Sequence, residues 1–170
     1  MADQQKPLTQ LTPYELENLS EAELEATIAA GGANADEARL TLGKFMIEGT
    51  SSKVPKNAKK GFNWVKEAGK NGHLGALEYR VYYEIRYDKQ PNMKKLLDNL
   101  ETVINKTKSA RALNMLGEFY QIQDKKEESK EVAARYYNQS ADQGCMIGTH
   151  WMGVFYHLGF GVSKNLSKAV

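Results

Sequence analysis

Ala112–Tyr120 reads ALNMLGEFY and Gly148–Tyr156 reads GTHWMGVFY. Laid one above the other, both are small-x-x-x-apolar-Gly-x-x-Tyr, and they stand 36 residues apart. A skeleton reused at a step of that size marks an architecture in which one supersecondary unit stacks on the next. Ala38–Met46 (ARLTLGKFM) fits the same template with Met46 in the tyrosine place, and Ala76 opens a degenerate copy between the first and the third. Arrays of this kind present a surface for binding a partner.

The second half of the unit repeats as well. Trp64 stands twelve residues before Ala76 and Tyr136 twelve before Gly148, while Ala68 matches Ser140 and Gly72 matches Gly144. The first step is 38 residues rather than 36, because Gly49–Val54 (GTSSKV) is two residues longer than Gly159–Val162 (GFGV). An insertion of this kind belongs in an exposed loop. The Gly and Ala positions are expected where two helix backbones approach closely, with Trp64 and Tyr136 as large buried rings alongside. Asn57, Ser129 and Asn165 share one place in three copies, at the start of the second helix, where a short polar side chain caps an unpaired backbone N–H. Gly72 and Gly144 close the second helices and suit the left-handed position beyond a helix end.

These residues resemble the SEL-like repeats, relatives of the tetratricopeptide repeats. The pattern of that family is roughly A-x-x-x-L-G-x-x-Y-x-x-G-x-G-V, followed by a second helix with Trp, Ala and a closing Gly. In the last copy Met152, Gly153, Tyr156, Gly159, Gly161, Val162, Asn165, Lys168 and Ala169 fall on it in order. In the first, Leu42, Gly43, Gly49, Val54, Asn57, Trp64, Ala68 and Gly72 do so; in the third, Leu116, Gly117, Tyr120, Tyr136 and Gly144. The resemblance covers about residues 33–170 and departs in the second copy, where Arg80 and Val81 hold the Leu-Gly places and Glu84 the tyrosine place.

The resemblance implies an all-α, right-handed solenoid of antiparallel helix pairs, with repeats at about 38–75, 76–111, 112–147 and 148–170. It implies a non-enzymatic adaptor or scaffold for a protein or peptide partner, in a bacterial secretion, effector-immunity or signalling assembly. A structural subunit bridging neighbours in a large complex is the alternative, and a regulatory domain of an enzyme is a third. Ahead of the repeats, residues 1–11 show neither caps nor apolar periodicity and are expected as an unstructured tail. Residues 12–32 read as capping helices. Thr12–Glu15 (TPYE), Ser20–Glu23 (SEAE) and Asn34–Glu37 (NADE) each have the form of a capping box, and Leu16, Leu19, Leu24 and Ile28 supply an apolar stripe. At the other end, Val170 falls in the first turns of the second helix of the fourth copy. The expectation is a fourth repeat left incomplete, with Trp151, Val154, Phe155 and Leu158 lacking cover, and self-association through that face.

Composition sets limits. The 170 residues are 41% hydrophobic and 26% charged, with 23 basic against 21 acidic side chains, a balance that argues against nucleic acid as partner. No apolar run approaches the roughly 20 residues of a membrane span. Cys145 is the single cysteine, so no internal disulfide forms and a reducing, cytoplasmic setting is expected. Catalytic constellations are absent from the sequence: no phosphate-binding loop, dinucleotide fingerprint or nucleophile elbow occurs. His73 sits between repeats, where capping or packing is expected of it. His150 and His157 lack a companion at ligand spacing. No cofactor, metal or enzymatic activity is implied.

The candidate binding residues lie where the repeat breaks its own rule. The first helix of the second copy, ALEYRVYYEIRYDK, carries Tyr79, Arg80, Tyr82, Tyr83, Arg86 and Tyr87. Tyrosine and arginine are enriched at interface hot spots. Tyr79, Tyr83 and Tyr87 recur on one helical stripe, part of which must replace the missing core residues. Tyr82 and Arg86 fall on another face and are expected to be exposed.

Overall fold

Two N-terminal helices start where the sequence places them. In the computed structural model, which describes residues 6–87, 92–123 and 127–169, Thr12 opens α1 (Pro13–Leu16) and Ser20 opens α2 (Glu21–Ala30). Each hydroxyl accepts from the backbone N–H of Glu15 or Glu23, and each carboxylate reaches back to the cap. The third box does not form. Asn34 spends its amide on the carbonyls of Leu8 and Leu11 at 3.2 and 2.7 Å, and Glu37 turns to His73. Tertiary partners have outcompeted the local cap. The tail is correspondingly shorter than the sequence suggests: Leu8–Gln10 form a turn of 3-10 helix, and Lys6 pairs with Glu15 at 2.7 Å.

The chain divides into two compact units, Met1–Arg80 and Val81–Val170. In the first, α3 (Ala35–Glu48) packs on α4 (Ala58–Lys70). The contact is set by absent side chains. A Cβ on Gly43 would lie 2.6 Å from Val65 Cγ2 and 2.8 Å from the Gly61 carbonyl oxygen, and one on Gly61 would lie 2.6 Å from the Gly43 carbonyl oxygen. Only glycine lets these backbones meet so closely. Around this crossing Leu16, Leu24, Ile28, Ala38, Leu42, Met46 and Val54 form one buried cluster, so the capping helices share the core of the first repeat. Trp64 is only half-buried at its edge, and the fully buried place belongs to Val65.

Loop closure also follows the repeat. Asn57 caps α4 by accepting from Lys60 N–H at 3.0 Å, while its own N–H donates to the Met46 carbonyl at 2.8 Å. In the last copy Asn165 accepts from Lys168 N–H at 3.1 Å and donates to the Tyr156 carbonyl at 2.9 Å. Gly72 and Gly144 take φ of +89° and +77°, and the next N–H returns to the Ala68 or Ser140 carbonyl. Ser129 departs from the expectation. It lies inside α8 (Glu127–Asp142) and is buried rather than capping the start.

Helix α5 (Leu74–Tyr87) contributes Leu77 and Tyr79 to the first unit, Tyr79 donating to Glu48 Oε1 at 2.7 Å. The second unit contains α6 (Met93–Thr107), α7 (Ala110–Gln123), α8 and α9 (Met146–Leu158). Here a Cβ on Gly117 would lie 2.8 Å from the Tyr137 ring. Tyr137 stands in the register of Val65, so the buried ring is Tyr137 and not Tyr136, which is half-buried and stacks on Tyr120 at 5.9 Å between centroids. Tyr137 meets Phe155 edge-on at 5.4 Å and Trp151 face-on at 5.7 Å. This corrects the expectation for α9: Phe155 is buried and Trp151 and Val154 are partly covered, while Leu158 is exposed. At Gly161, φ +63°, an added Cβ would collide with the Lys130 carbonyl, so there is no room for a side chain.

The glycine contact gives a direct expectation. Gly43→Ala should lower stability by about 1–3 kcal/mol, the range for overpacking a tight core. Gly75→Ala, whose nearest side-chain neighbours stand 3.3 Å away, should cost less. Urea melts of both variants check it, and equal midpoints would contradict the close approach of α3 and α4.

Candidate partner-binding cleft

The first helices of the second unit enclose a cleft of about 160 Å³. The C-terminal part of α5 supplies Tyr82 and Arg86, α7 supplies Arg111, Asn114 and Glu118, and α9 supplies Ile147 and Trp151. Helical spacing explains the sets. Residues four apart on α5 and α9, and three or four apart on α7, stand on one face.

Tyr82 organises the cationic side. The guanidinium carbons of Arg86 and Arg111 lie 4.2 and 5.0 Å from its ring centroid, within cation–π range. Arg86 also reaches Glu118 Oε2 at 3.3 Å. Opposite, Trp151 rests on Tyr137, and Ile147 is 56% exposed. Tyr137 donates its hydroxyl hydrogen to Gln121 Oε1 at 2.8 Å, and burial pushes its phenol pKa upward. Asn114, 6% exposed, donates from Nδ2 to Cys145 Sγ at 3.0 Å. Its Oδ1 is enclosed without a hydrogen-bond partner. Burial raises the Cys145 thiol, but the Gly148 N–H, Ser140, the Ile147 N–H and Asn114 outweigh it and hold the pKa below the usual value.

Of the six candidate residues, the structure brings Tyr82 and Arg86 into this cleft; Arg86 is exposed, but Tyr82, expected to be exposed, is half-buried because Arg86 and Arg111 lie over its ring. Tyr79 and Arg80 are buried, Tyr83 is half-buried, and Tyr87, 64% exposed, meets the Tyr83 ring at a 36° tilt with centroids 4.9 Å apart. Sequence reasoning passed over Arg111, Asn114 and Glu118. Their signal is a polar i, i+3, i+7 set on α7, within a helix otherwise read for its small and apolar positions.

A family model for the Sel1 repeat matches residues 37–73, 110–145 and 148–170, more than half of the chain. The chain belongs to the Sel1 repeat family. The stretch the Sel1 matches leave out, 74–109, contains the copy in which Arg80, Val81 and Glu84 replace the usual residues. The solved structures similar to the chain include the following two. The protective antigen c5321 of uropathogenic Escherichia coli, with an SLR fold, is 18% identical, with a TM-score of 0.69 over 87% of this chain and 31% of its own. A Sel1 repeat protein from Oxalobacter formigenes is 19% identical, with a TM-score of 0.69 over 94% of this chain and 70% of its own. The chain thus spans less than a third of the Escherichia coli protein. No curated protein matches the sequence. At these identities the likeness shows the fold, an all-helical solenoid of Sel1 type among the described residues. Sel1 repeats are in general protein–protein interaction modules. No helix among the described residues is long and apolar enough to cross a membrane.

His73 lies in the other unit and serves structure. Its Nδ1 accepts from Ala76 N–H at 3.2 Å, capping α5, and its Nε2 meets Glu37 Oε2 at 2.9 Å. The Glu37 bond is the largest influence on the ring and raises its pKa above 6.5; the same bond lowers Glu37 below 4.5. A raised histidine pKa adds stability that is complete below the unfolded value and lost as pH rises through the folded one. A lowered glutamate pKa adds stability that is complete above its unfolded value and lost as pH falls. The pair therefore contributes most between pH 4.5 and 6.5. Replacing the ring, His73→Gln, should flatten the decline in melting temperature between about pH 6 and 8. Wild-type and variant profiles that run parallel across that window would contradict this assignment.

Proposed function

We propose that this chain is a non-enzymatic interaction module, an adaptor or scaffold that holds a protein or peptide partner in the cleft of the second unit. One observation carries the reading. Tyr82, Arg86, Arg111 and Trp151 converge from three helices on a single concave spot, and these are the residue types that dominate interface energetics. The general role of Sel1 repeats supports it, and the two similar structures, both from bacteria, favour a bacterial assembly as the setting. A single thiol fits a reducing compartment.

A second reading, a subunit bridging two neighbours, draws on Leu158 and Leu166. Both are exposed and lie outside the residues that line the cleft. Such a subunit, or a second copy of the chain, would use them in addition to the cleft.

Tyr82→Ala combined with Arg86→Ala should weaken the affinity for a partner purified with the chain at least about tenfold, the loss of one interface anchor of about 1.4 kcal/mol. Helicity should stay close to wild type and melting temperature should fall only modestly, since Arg86 is exposed and Tyr82 is half-buried outside the core. Unchanged affinity in the folded double variant would move the contact surface out of the cleft.

A further inference from the structure

Gly153 on α9 stands in the register of Gly43 and Gly117, yet its side of the crossing is open. A Cβ on Gly43 would lie 2.6 Å from Val65 Cγ2 on a second helix, and one on Gly117 would lie 2.8 Å from the Tyr137 ring. On Gly153, among the described residues, it would meet only the Ala169 carbonyl, whose oxygen stands 3.3 Å away. Beyond Ala169 this face widens into a groove of about 560 Å³, lined in part by Met152, Val154 and Leu158. Leu158 is 63% exposed there.

The geometry and the charge each constrain an occupant. Opposite the glycine, the two formed crossings place a small residue, Gly61 in one and Ala133 in the other, so a helix that seats at Gly153 needs a face of small side chains. It also meets positive charge, because Lys168, His150 and His157 line the groove and no Asp or Glu does. Helix α2 of this same chain answers both requirements. Ala22, Ala26, Ala29 and Ala30 recur on one of its faces and all four are exposed, while Leu24, Thr27 and Ile28 are buried in the core. Residues 12–32 hold five glutamates and no lysine or arginine. Lys6 pairs with Glu15, and Lys60 with Glu21 and Glu25, so carboxylates outnumber the cations beside them and this surface stays negative.

We propose that the α9 groove binds the exposed alanine face of α2 from a second copy of this chain, with the glutamates of that copy toward Lys168 and the two histidines. The contact is heterologous: one molecule contributes α2 and the other contributes α9, so each keeps one surface of each kind for a further copy. One helix face in one groove buries less than the roughly 1,200 Å² of stable complexes. Association therefore sets in above about 10 µM and weakens as salt rises. The cleft at Tyr82 takes no part in this contact, so the two assignments stand or fall separately.

Sedimentation velocity of the full chain from about 5 to about 500 µM tests the contact. The weight-average sedimentation coefficient should rise with concentration, and rise less at about 0.5 M salt. Ala26→Arg on the α2 face and Gly153→Gln in the groove should each stay monomeric, and Lys168→Glu should move the onset to at least about threefold higher concentration. An equimolar mixture of Ala26→Arg and Gly153→Gln should associate again and stop at one-to-one pairs, because each variant keeps the surface the other has lost. Circular dichroism melts verify that the variants fold. Thr149→Gln, at an exposed position of the same groove, takes the place of Gly153→Gln if that variant loses helicity. A wild-type chain that stays monomeric over the whole range would overturn the proposal. So would a mixture that stays monomeric, or an Ala26→Arg variant that associates like wild type, since either result assigns the groove to a different occupant.

Discussion

The bare backbone of one glycine in the first helix of the α3–α4 and α7–α8 pairs sets the geometry of everything around it. At Gly43 it meets Gly61 and Val65; at Gly117 it meets the ring of Tyr137. Two helices brought this close lose the room for a Cβ and gain continuous van der Waals contact along the crossing. What stands opposite the glycine then decides the character of the unit. In the first unit a second glycine and a valine give a small aliphatic core, closed by the leucines of the capping helices. In the second, Ala133 and Tyr137 occupy the corresponding places, and the tyrosine ring gathers Trp151 and Phe155 around it.

That difference links packing to the candidate site. Trp151 forms one wall of the cleft because it rests on Tyr137, and Tyr137 is where it is because Gly117 yields to it. The opposite wall has a different physical basis. Two guanidiniums lie over one tyrosine ring, and a glutamate holds one of them at the distance of a weak, solvated pair. A rigid aromatic wall facing an adaptable cationic one suits an interface: the first contributes buried area at little conformational cost, the second charge selectivity.

Most of the fold was legible because repeat positions carry their meaning locally. Thr12 with Glu15 and Ser20 with Glu23 form the caps their spacing describes, and Gly72 and Gly144 turn left-handed after their helices. The expectations that failed were decided by partners distant in sequence. Asn34 and Glu37 have the local form of a capping box, but Leu8, Leu11 and His73 claim them. The reading that chose Trp64 and Tyr136 as buried rings followed residue size, whereas the crossing buries the next residue, Val65 or Tyr137. For the site, enrichment in Tyr and Arg drew attention to α5, and the face argument separated Tyr82 and Arg86 from the buried Tyr79 and Arg80. Arg111, Asn114 and Glu118 carried no such local mark. They matter through what three helices bring together, which a linear pattern does not record.

The claim that the glycine crossing positions the cleft wall is tested most directly by the emission of Trp151 in a Gly117→Ala variant built on Trp64→Phe. Far-UV circular dichroism verifies that the helices remain. The added methyl would sit 2.8 Å from the Tyr137 ring, so the account predicts a displaced ring and a shifted Trp151 emission maximum at nearly unchanged helicity. An emission spectrum and melting temperature identical to those of the parent would contradict it.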